Sequence, residues 1–241
     1  MLQLREFQQQ ASDLIAERFR RYIADPPLRG TRSSQRRVPF FQALSSITAS
    51  GKTVILADAV QAMAAELATA PIVLWLSKGK VVVQQTCANL APGGKYHHLI
   101  GQATVDWLAA YDVDAIRDAV HPLIYVATVG TFNQRDRETS DLLVYRSELD
   151  TQDTSTWEAL KHRTDGENTR RPLLIVYDEG HNLTDQQTDL LLELEPDAIV
   201  AASATMRLPR RLADEIKHLR DAGWDDAELA QGFHADGAVF N

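Results

Sequence analysis

Five short apolar runs constrain the fold of this chain more than any other feature of its sequence. They lie at about 38–44, 72–76, 123–129, 173–177 and 198–202. Segments in which apolar residues recur at helical spacing alternate with these runs, and one more, at 4–23, precedes the first. Apolar strands that alternate with helices are typical of a parallel sheet covered on both faces. The pattern predicts a three-layer α/β fold with a mostly parallel sheet.

The composition excludes several classes of protein. Hydrophobic residues make up 44% and charged residues 24% of the 241 residues, as in ordinary globular domains. No apolar run reaches the roughly 18–20 residues of a membrane span, and the polar start MLQLREFQQQ is unlike a signal peptide. The single cysteine, Cys87, excludes an internal disulfide framework. We therefore expect a cytoplasmic protein with no membrane partner.

The net charge of −8 also limits how nucleic acid can be bound, since the whole domain does not carry a basic field. Any such contact requires a local surface. The length fits one large domain, and we expect a single domain over 1–241. Within it, 25–37 is expected to form a loop and 146–170 a mobile insertion, because both are polar and without a clear period.

Residues 46–53 have the features of a phosphate-binding loop, lying between the first apolar run and an alanine-rich helical stretch. Backbone N–H groups at the start of a helix point at an anion, and the helix dipole adds to the attraction. Lys52 would reach the β- and γ-phosphates of a nucleotide, and the Thr53 hydroxyl would ligate magnesium. The strict pattern G-x-x-x-x-G-K-[ST] is not met, because Ser46 occupies its first position. The alternative is that Gly51 merely starts a helix.

Two carboxylates, Asp178 and Glu179, follow directly after the fourth apolar run. Residues at the carboxyl end of a strand lie on the ligand-binding edge of an open α/β sheet. Asp178 would hold Mg²⁺, directly or through water, and Glu179 would orient or deprotonate the attacking water. An acidic pair that complements a helix dipole is the alternative, but it does not account for His181. Together the two motifs predict a P-loop NTPase that binds ATP with Mg²⁺.

The phosphate loop, the D-E-x-H sequence at 178–181 and the Ser-Ala-Thr sequence at 203–205 follow one another in the order of superfamily 2 helicases of the DEAD/DEAH type. The chain is similar to the ATPase part of the R subunits of type III and type I restriction enzymes. This resemblance implies a first RecA-like domain, and an ATP hydrolase that drives a helicase or translocase of a restriction or phage-defence system.

The resemblance also implies which residues bind the nucleotide. The sequence LREFQQQA at 4–11 is similar to the family's glutamine motif, so Gln8 would hydrogen-bond the adenine edge, with Arg5 nearby. His181 is implied to lie at the same site. The implied residues of the loop are Thr48, Ala49, Ser50, Gly51, Lys52 and Thr53. Ala49 stands where the family usually has glycine, and alanine in a left-handed conformation would cost about 1 kcal/mol.

Nucleic-acid contacts are implied by two further stretches, 74–78 with the following Gln84-Gln85, and 127–133. The candidate contacts are Ser77, Lys78, Gln85, Thr128, Thr131 and Asn133. For each of them, a polar residue that ends a strand or caps a helix is the alternative. Ser203 and Thr205 would couple the state of the bound nucleotide to the affinity for nucleic acid. DNA is favoured over RNA as the partner.

A motor of this type closes its ATP site between two RecA-like domains, and the second domain supplies arginine fingers. Too few residues follow Thr205 for such a domain, so we expect it to act from elsewhere, in cis or in trans. This chain by itself would then bind ATP weakly and hydrolyse it poorly. A P-loop NTPase of another class, or an inactive motor-like domain that binds partners, remains open as an alternative.

Overall fold

The computed structural model describes residues 3–31, 34–46, 50–132, 155–179, 183–204, 208–233 and 239–240. Its strands are β1 (Leu28–Thr31), β2 (Ser34–Arg37), β3 (Phe40–Ser46), β4 (Ile72–Ser77), β5 (Thr104–Trp107), β6 (Leu123–Thr128), β7 (Leu173–Asp178), β8 (Ala198–Ser203), β9 (Ala230–Phe233) and β10 (Val239–Phe240). Its α-helices are α1 (Glu6–Ala24), α2 (Lys52–Ala65), α3 (Lys80–Leu90), α4 (Val113–Arg117), α5 (Thr156–Lys161), α6 (Asp185–Glu193), α7 (Arg210–Asp221) and α8 (Asp226–Leu229).

The described strands form one large sheet in the order β10-β9-β3-β8-β7-β4-β6-β5, beside a separate β1-β2 hairpin. All neighbours in the large sheet are parallel except β10, which runs antiparallel to β9. Every residue of β4, β7 and β8 is buried, because helices cover both faces of the centre of the sheet. The predicted α/β fold with a mostly parallel sheet is confirmed, and the five apolar runs correspond to β3, β4, β6, β7 and β8.

Helix α2 occupies the position that determines where the phosphate loop lies. It follows β3, packs against α1 on one side, and contacts β7 and β8 on the other. A helix enclosed in this way is apolar on most of its surface, which explains its alanine-rich sequence. Its first turn is consequently held at the carboxyl ends of the central strands.

The expectation of a loop at 25–37 is wrong for most of that segment. Strands β1 and β2 form an antiparallel hairpin in which Leu28 pairs with Arg37 and Thr31 with Ser34. The hairpin is attached to α7 by charge, since Arg29 lies 2.5 Å and Arg36 3.4 Å from the same carboxylate oxygen of the buried Glu215. The polar sequence of 25–37 indicates a loop because its partner, Glu215, lies far away in the sequence.

The expectation of a mobile insertion at 146–170 is corrected for 155–170, while 146–154 lies outside the described residues. Residues 155–170 contain α5 and an antiparallel bridge between Thr164 and Arg170. Two large side chains, Trp157 and Arg163, are only 1% exposed and fix this segment to the rest of the domain. Among the described residues, no helix is both long enough and apolar enough to cross a membrane.

Candidate nucleotide-binding site

The parallel sheet brings motifs that are far apart in the sequence to one edge. In the order β3-β8-β7, Ser45 of β3 lies beside Ser203 of β8, and Ala202 lies beside Asp178 of β7. The phosphate loop, the acidic pair and Ser203 therefore meet at the carboxyl ends of three adjacent strands. This is the edge at which open α/β sheets bind ligands.

Thr53 and Asp178 are in direct contact at this edge. The Thr53 hydroxyl donates a hydrogen bond to Asp178 Oδ2 at a distance of 2.8 Å. Asp178 is only 4% exposed, and burial raises the pKa of its carboxyl group, an effect that the Thr53 hydrogen bond partly offsets. Mg²⁺ is usually held by one or two carboxylates together with phosphates and water. A hydroxyl and a buried carboxylate that face each other therefore fit the predicted magnesium site.

Lys52, the first residue of α2, is only 7% exposed. Its ammonium group donates a hydrogen bond to the carbonyl oxygen of Ser46, the last residue of β3, at 3.2 Å. The hydroxyl of Ser46 is buried and has no hydrogen-bond partner within the described part of the chain. A buried ammonium group at the N-terminus of α2, together with a buried hydroxyl without a partner at the end of β3, is suited to an anionic ligand.

Position 51 requires glycine for two reasons, the backbone conformation there and the close approach of a neighbouring side chain. Its φ of +84° is in the left-handed region, and an added Cβ atom would lie 2.3 Å from Nε2 of Gln8. Gln8 itself donates from Nε2 to the Ser50 carbonyl and accepts at Oε1 from the backbone N–H of Arg5, both at 2.9 Å. Each end of the amide can form one more hydrogen bond, so the arrangement is compatible with the predicted contact to adenine.

Glu179 adopts a left-handed backbone conformation with φ of +72°. Residues other than glycine rarely adopt this conformation, and those that do cluster at functional sites. Its charge helps to raise the pKa of Asp178 and, after the larger effect of burial, that of Tyr177 to about 12. Glu179 lies immediately after Asp178, the predicted magnesium ligand.

Some predicted site residues lie outside the described part of the chain, and their roles remain predictions. They are Thr48, Ala49, Asn133, His181 and Thr205.

The structure brings most of the described nucleic-acid candidates to the same edge, further along the sheet. Ser77 ends β4 and pairs with Thr128, which ends β6, and the Thr128 and Thr131 hydroxyl oxygens are 3.4 Å apart. Lys78 is exposed, and Gln85 is exposed on α3, whereas Ser77 is 1% exposed. The surface candidates are therefore Lys78 and Gln85, together with the half-buried threonines.

Gln187, which the sequence did not indicate, connects the start of α6 with the turn after β6. Gln187 is 3% exposed, and its Nε2 donates to the Val129 carbonyl at 3.3 Å, while its Oε1 accepts from the backbone N–H of Thr184. It thereby joins α6, which follows the acidic pair, to the turn that carries Thr131. The sequence Thr184-x-x-Gln187 is a capping box, a readable signal for the start of α6 but not for the contact with Val129.

A comparison with protein families decides the classification. The family described as "Type III restriction enzyme, res subunit", or ResIII, matches residues 1–208 and therefore all the motifs above. The chain belongs to this family. ResIII domains are helicase ATP-binding domains found in restriction R subunits and superfamily 2 helicases. The predicted resemblance is confirmed, and no curated protein matches the chain significantly.

Proposed function

We propose that this ResIII domain binds ATP with Mg²⁺ at the carboxyl edge of β3, β8 and β7. We further propose that it is the ATP-binding half of a nucleic-acid helicase or translocase in a restriction or phage-defence system. The observation that supports this best is the hydrogen bond between Thr53 and Asp178, residues separated by 125 positions in the sequence. A phosphate loop that merely started a helix would have no need of a buried carboxylate against its first turn.

The roles of the residues follow from their positions. The N–H groups at the start of α2 and the ammonium group of Lys52 bind the β- and γ-phosphates, and Lys52 releases the Ser46 carbonyl to do so. Thr53 and Asp178 would hold Mg²⁺, which when bound would supply positive charge to the phosphates. Glu179 orients the attacking water and accepts its proton.

Nucleic acid would be bound by the part of the same edge formed by Lys78, Gln85, Thr128 and Thr131. Binding through so few positive groups, on a chain with net charge −8, is expected to be weak and to decrease steeply with salt. The buried Ser203, between the phosphate loop and Asp178, is in a position to transmit the nucleotide state along the sheet. A second RecA-like domain would complete the site with arginine fingers, which contribute roughly 10³–10⁵ in rate.

The test compares the wild-type chain with Glu179→Gln in two measurements, ATP affinity by equilibrium titration and hydrolysis under single-turnover conditions. We expect an affinity within about twofold of wild type and hydrolysis reduced to background, since only the group that acts on water is changed. Glu193→Gln removes an exposed carboxylate of α6 and serves as the matched control. Equal hydrolysis by wild type and Glu179→Gln, at a rate above background, would contradict the assigned role.

Two other outcomes would change the proposal. Rapid hydrolysis by this chain alone, stimulated by nucleic acid, would contradict the need for a second domain. Binding of ATP with no hydrolysis under any condition, even with the second domain supplied, would favour an inactive motor-like domain that binds partners.

A further inference from the structure

A pocket lies at the carboxyl ends of β5 and β6, beyond β4 from the ATP site. Its volume is about 270 Å³. Its floor is apolar and includes Leu108 and Val126, and its rim carries an indole, an amide, an ammonium group and hydroxyls. The rim residues are Trp107, Gln84, Lys80, Thr128 and Thr131. This combination of an apolar floor with a few polar groups is characteristic of a ligand site.

Trp107 is the notable member of this pocket. The indole is 38% exposed, whereas Trp75, Trp157 and Trp224 are at most 7% exposed, and these four are all the tryptophans of the chain. Its backbone N–H donates to Oδ1 of Asp106 at 2.7 Å, which helps fix the end of the edge strand. Large exposed aromatic side chains beside polar groups commonly mark binding sites.

The groups around Trp107 favour one kind of ligand. A nucleobase has a flat π-face that stacks on an indole, and polar edges that hydrogen-bond to amides and hydroxyls such as those of Gln84 and Thr131. A phosphate directly beside Trp107 is disfavoured, because the carboxylate of Asp106 is next to it. Lys80 lies at the N-terminus of α3, two residues after Lys78, and both can hold the phosphates that flank such a base.

We propose that the Trp107 pocket accommodates one unstacked base of single-stranded nucleic acid. The proposal rests on the proposed function, because Thr128 and Thr131 belong both to the pocket and to the predicted backbone contacts. It goes further in that the domain contacts a base as well as phosphates. Bases inside a duplex are not available for such stacking, so the pocket makes the domain selective for single strands.

The experiment measures binding of oligothymidylate and of an abasic oligonucleotide of equal length, which presents the same phosphates without bases. Trp107 is the exposed tryptophan, so quenching of intrinsic fluorescence reports on the pocket. We expect oligothymidylate to bind about tenfold more tightly than the abasic strand, and to be the strand that quenches, because stacking of one base has an effect of this size.

Two variants separate stacking from the general fold. Trp107→Ala is expected to weaken oligothymidylate binding about tenfold and to leave abasic binding unchanged, while Trp107→Phe retains binding but loses the quenching. Val81→Ala removes an exposed apolar side chain from α3 outside the pocket lining and serves as the matched control, with both affinities unchanged. ATP affinity and the thermal midpoint confirm that each variant is folded.

The outcomes distinguish the two proposals. Equal binding of both strands, or unchanged binding of oligothymidylate by Trp107→Ala, would overturn the base pocket and leave the nucleic-acid function intact. Binding of duplex but not of single strands would do the same. Failure of the folded, ATP-binding chain to bind any of these nucleic acids at low salt would contradict both.

Discussion

The two edges of the central sheet differ in how their polar groups are satisfied. At the carboxyl edge, the hydroxyls of Ser46, Ser77 and Tyr177 are buried and have no hydrogen-bond partner among the described residues. Two further buried atoms in the described part of the chain lack a partner, Nε1 of Trp75 within β4 and Oε2 of Glu215 beside the β1-β2 hairpin.

Left-handed backbone occurs at both edges, at Gly51 and Glu179 near the carboxyl ends of the strands and at Glu195 in the loop that enters β8. At the amino edge, two buried arginines bind a series of backbone carbonyls. The proposed ATP and base sites lie at the edge with most of these unsatisfied groups, and the buried arginines reinforce the other edge.

Arg171 and Arg163 connect the segments that enter the strands. The Arg171 guanidinium is fully buried and donates to the carbonyl oxygens of Ala70, Pro71, Ala115, Ile116 and His121, at 2.7 to 3.5 Å. Arg163 donates to those of Leu160, Arg171, Leu194 and Glu195. Burial lowers the pKa of both side chains, that of Arg163 to about 9. Each buried cation is thus compensated by carbonyl dipoles from loops that precede β4, β6 and β8.

We infer that the direction of the strands separates the stabilising arginine contacts of this domain from its proposed ligand sites. Because the strands are parallel, all entry loops lie at one edge and all exits at the other. Buried polar groups without partners are costly, and three of the five in the described part of the chain lie at the exits, where a ligand would satisfy them.

The largest effect on stability is expected from removing a buried guanidinium group at the amino edge. Arg171→Met should reduce the free energy of unfolding by about 3 kcal/mol or more, because several buried carbonyls lose their donor. Urea denaturation measures this. Arg170→Met, which changes the neighbouring and 43% exposed arginine side chain, should cost less than about 1 kcal/mol. Similar losses for the two variants would show that the buried guanidinium does not hold this edge.

A smaller effect on stability is expected from replacing Gly51, where both the backbone conformation and the contact with Gln8 disfavour a side chain. Gly51→Ala should destabilise the chain by about 1–2 kcal/mol and weaken ATP binding, since φ is positive and the new Cβ would meet the Gln8 amide. In a Gln8→Ala background the collision is removed and the cost should fall, while the conformational part remains. A cost of Gly51→Ala that does not depend on Gln8 would contradict the contact.

The smallest effect is expected from Asp178→Asn, and it has opposite signs for stability and binding. Burial raises the pKa of Asp178 in the folded state, so its ionised form opposes folding at neutral pH. Asp178→Asn should therefore raise the thermal midpoint at pH 7 and weaken Mg²⁺-dependent ATP binding. The gain in stability should shrink as the pH falls through the raised pKa, where wild-type Asp178 becomes protonated. A variant less stable than wild type at pH 7 would contradict this.

The sequence predicts the central part of the molecule well, because its signals are local. The apolar runs that form β3, β4, β6, β7 and β8 are buried on both faces, and such strands are recognisable by composition alone. Lys52 and Thr53 could be placed at one edge with Asp178 because they follow the loop after β3, while Asp178 ends β7. The family comparison then confirmed the class of domain.

The features that the sequence did not predict depend on distant partners. The β1-β2 hairpin is charged and exposed. It is held by Glu215, which lies 179 residues after Arg36 in the sequence. Arg163 and Arg171 look like surface charges until the loops around them are assembled. Trp107 belongs to a short edge strand whose sequence, Thr-Val-Asp-Trp, has too little apolar character to indicate a strand.

The most direct test of the ATP site is the dissociation constant of ATP, titrated with and without Mg²⁺, for wild type and Lys52→Ala. Lys161→Ala, which removes an exposed lysine of α5, is the matched control. We predict that Mg²⁺ tightens binding to wild type and to Lys161→Ala, and that Lys52→Ala weakens it about 10- to 100-fold, as expected for a lost bond to a charged phosphate. Binding that is independent of Mg²⁺, or that survives Lys52→Ala unchanged, would contradict a nucleotide site at this edge of the sheet.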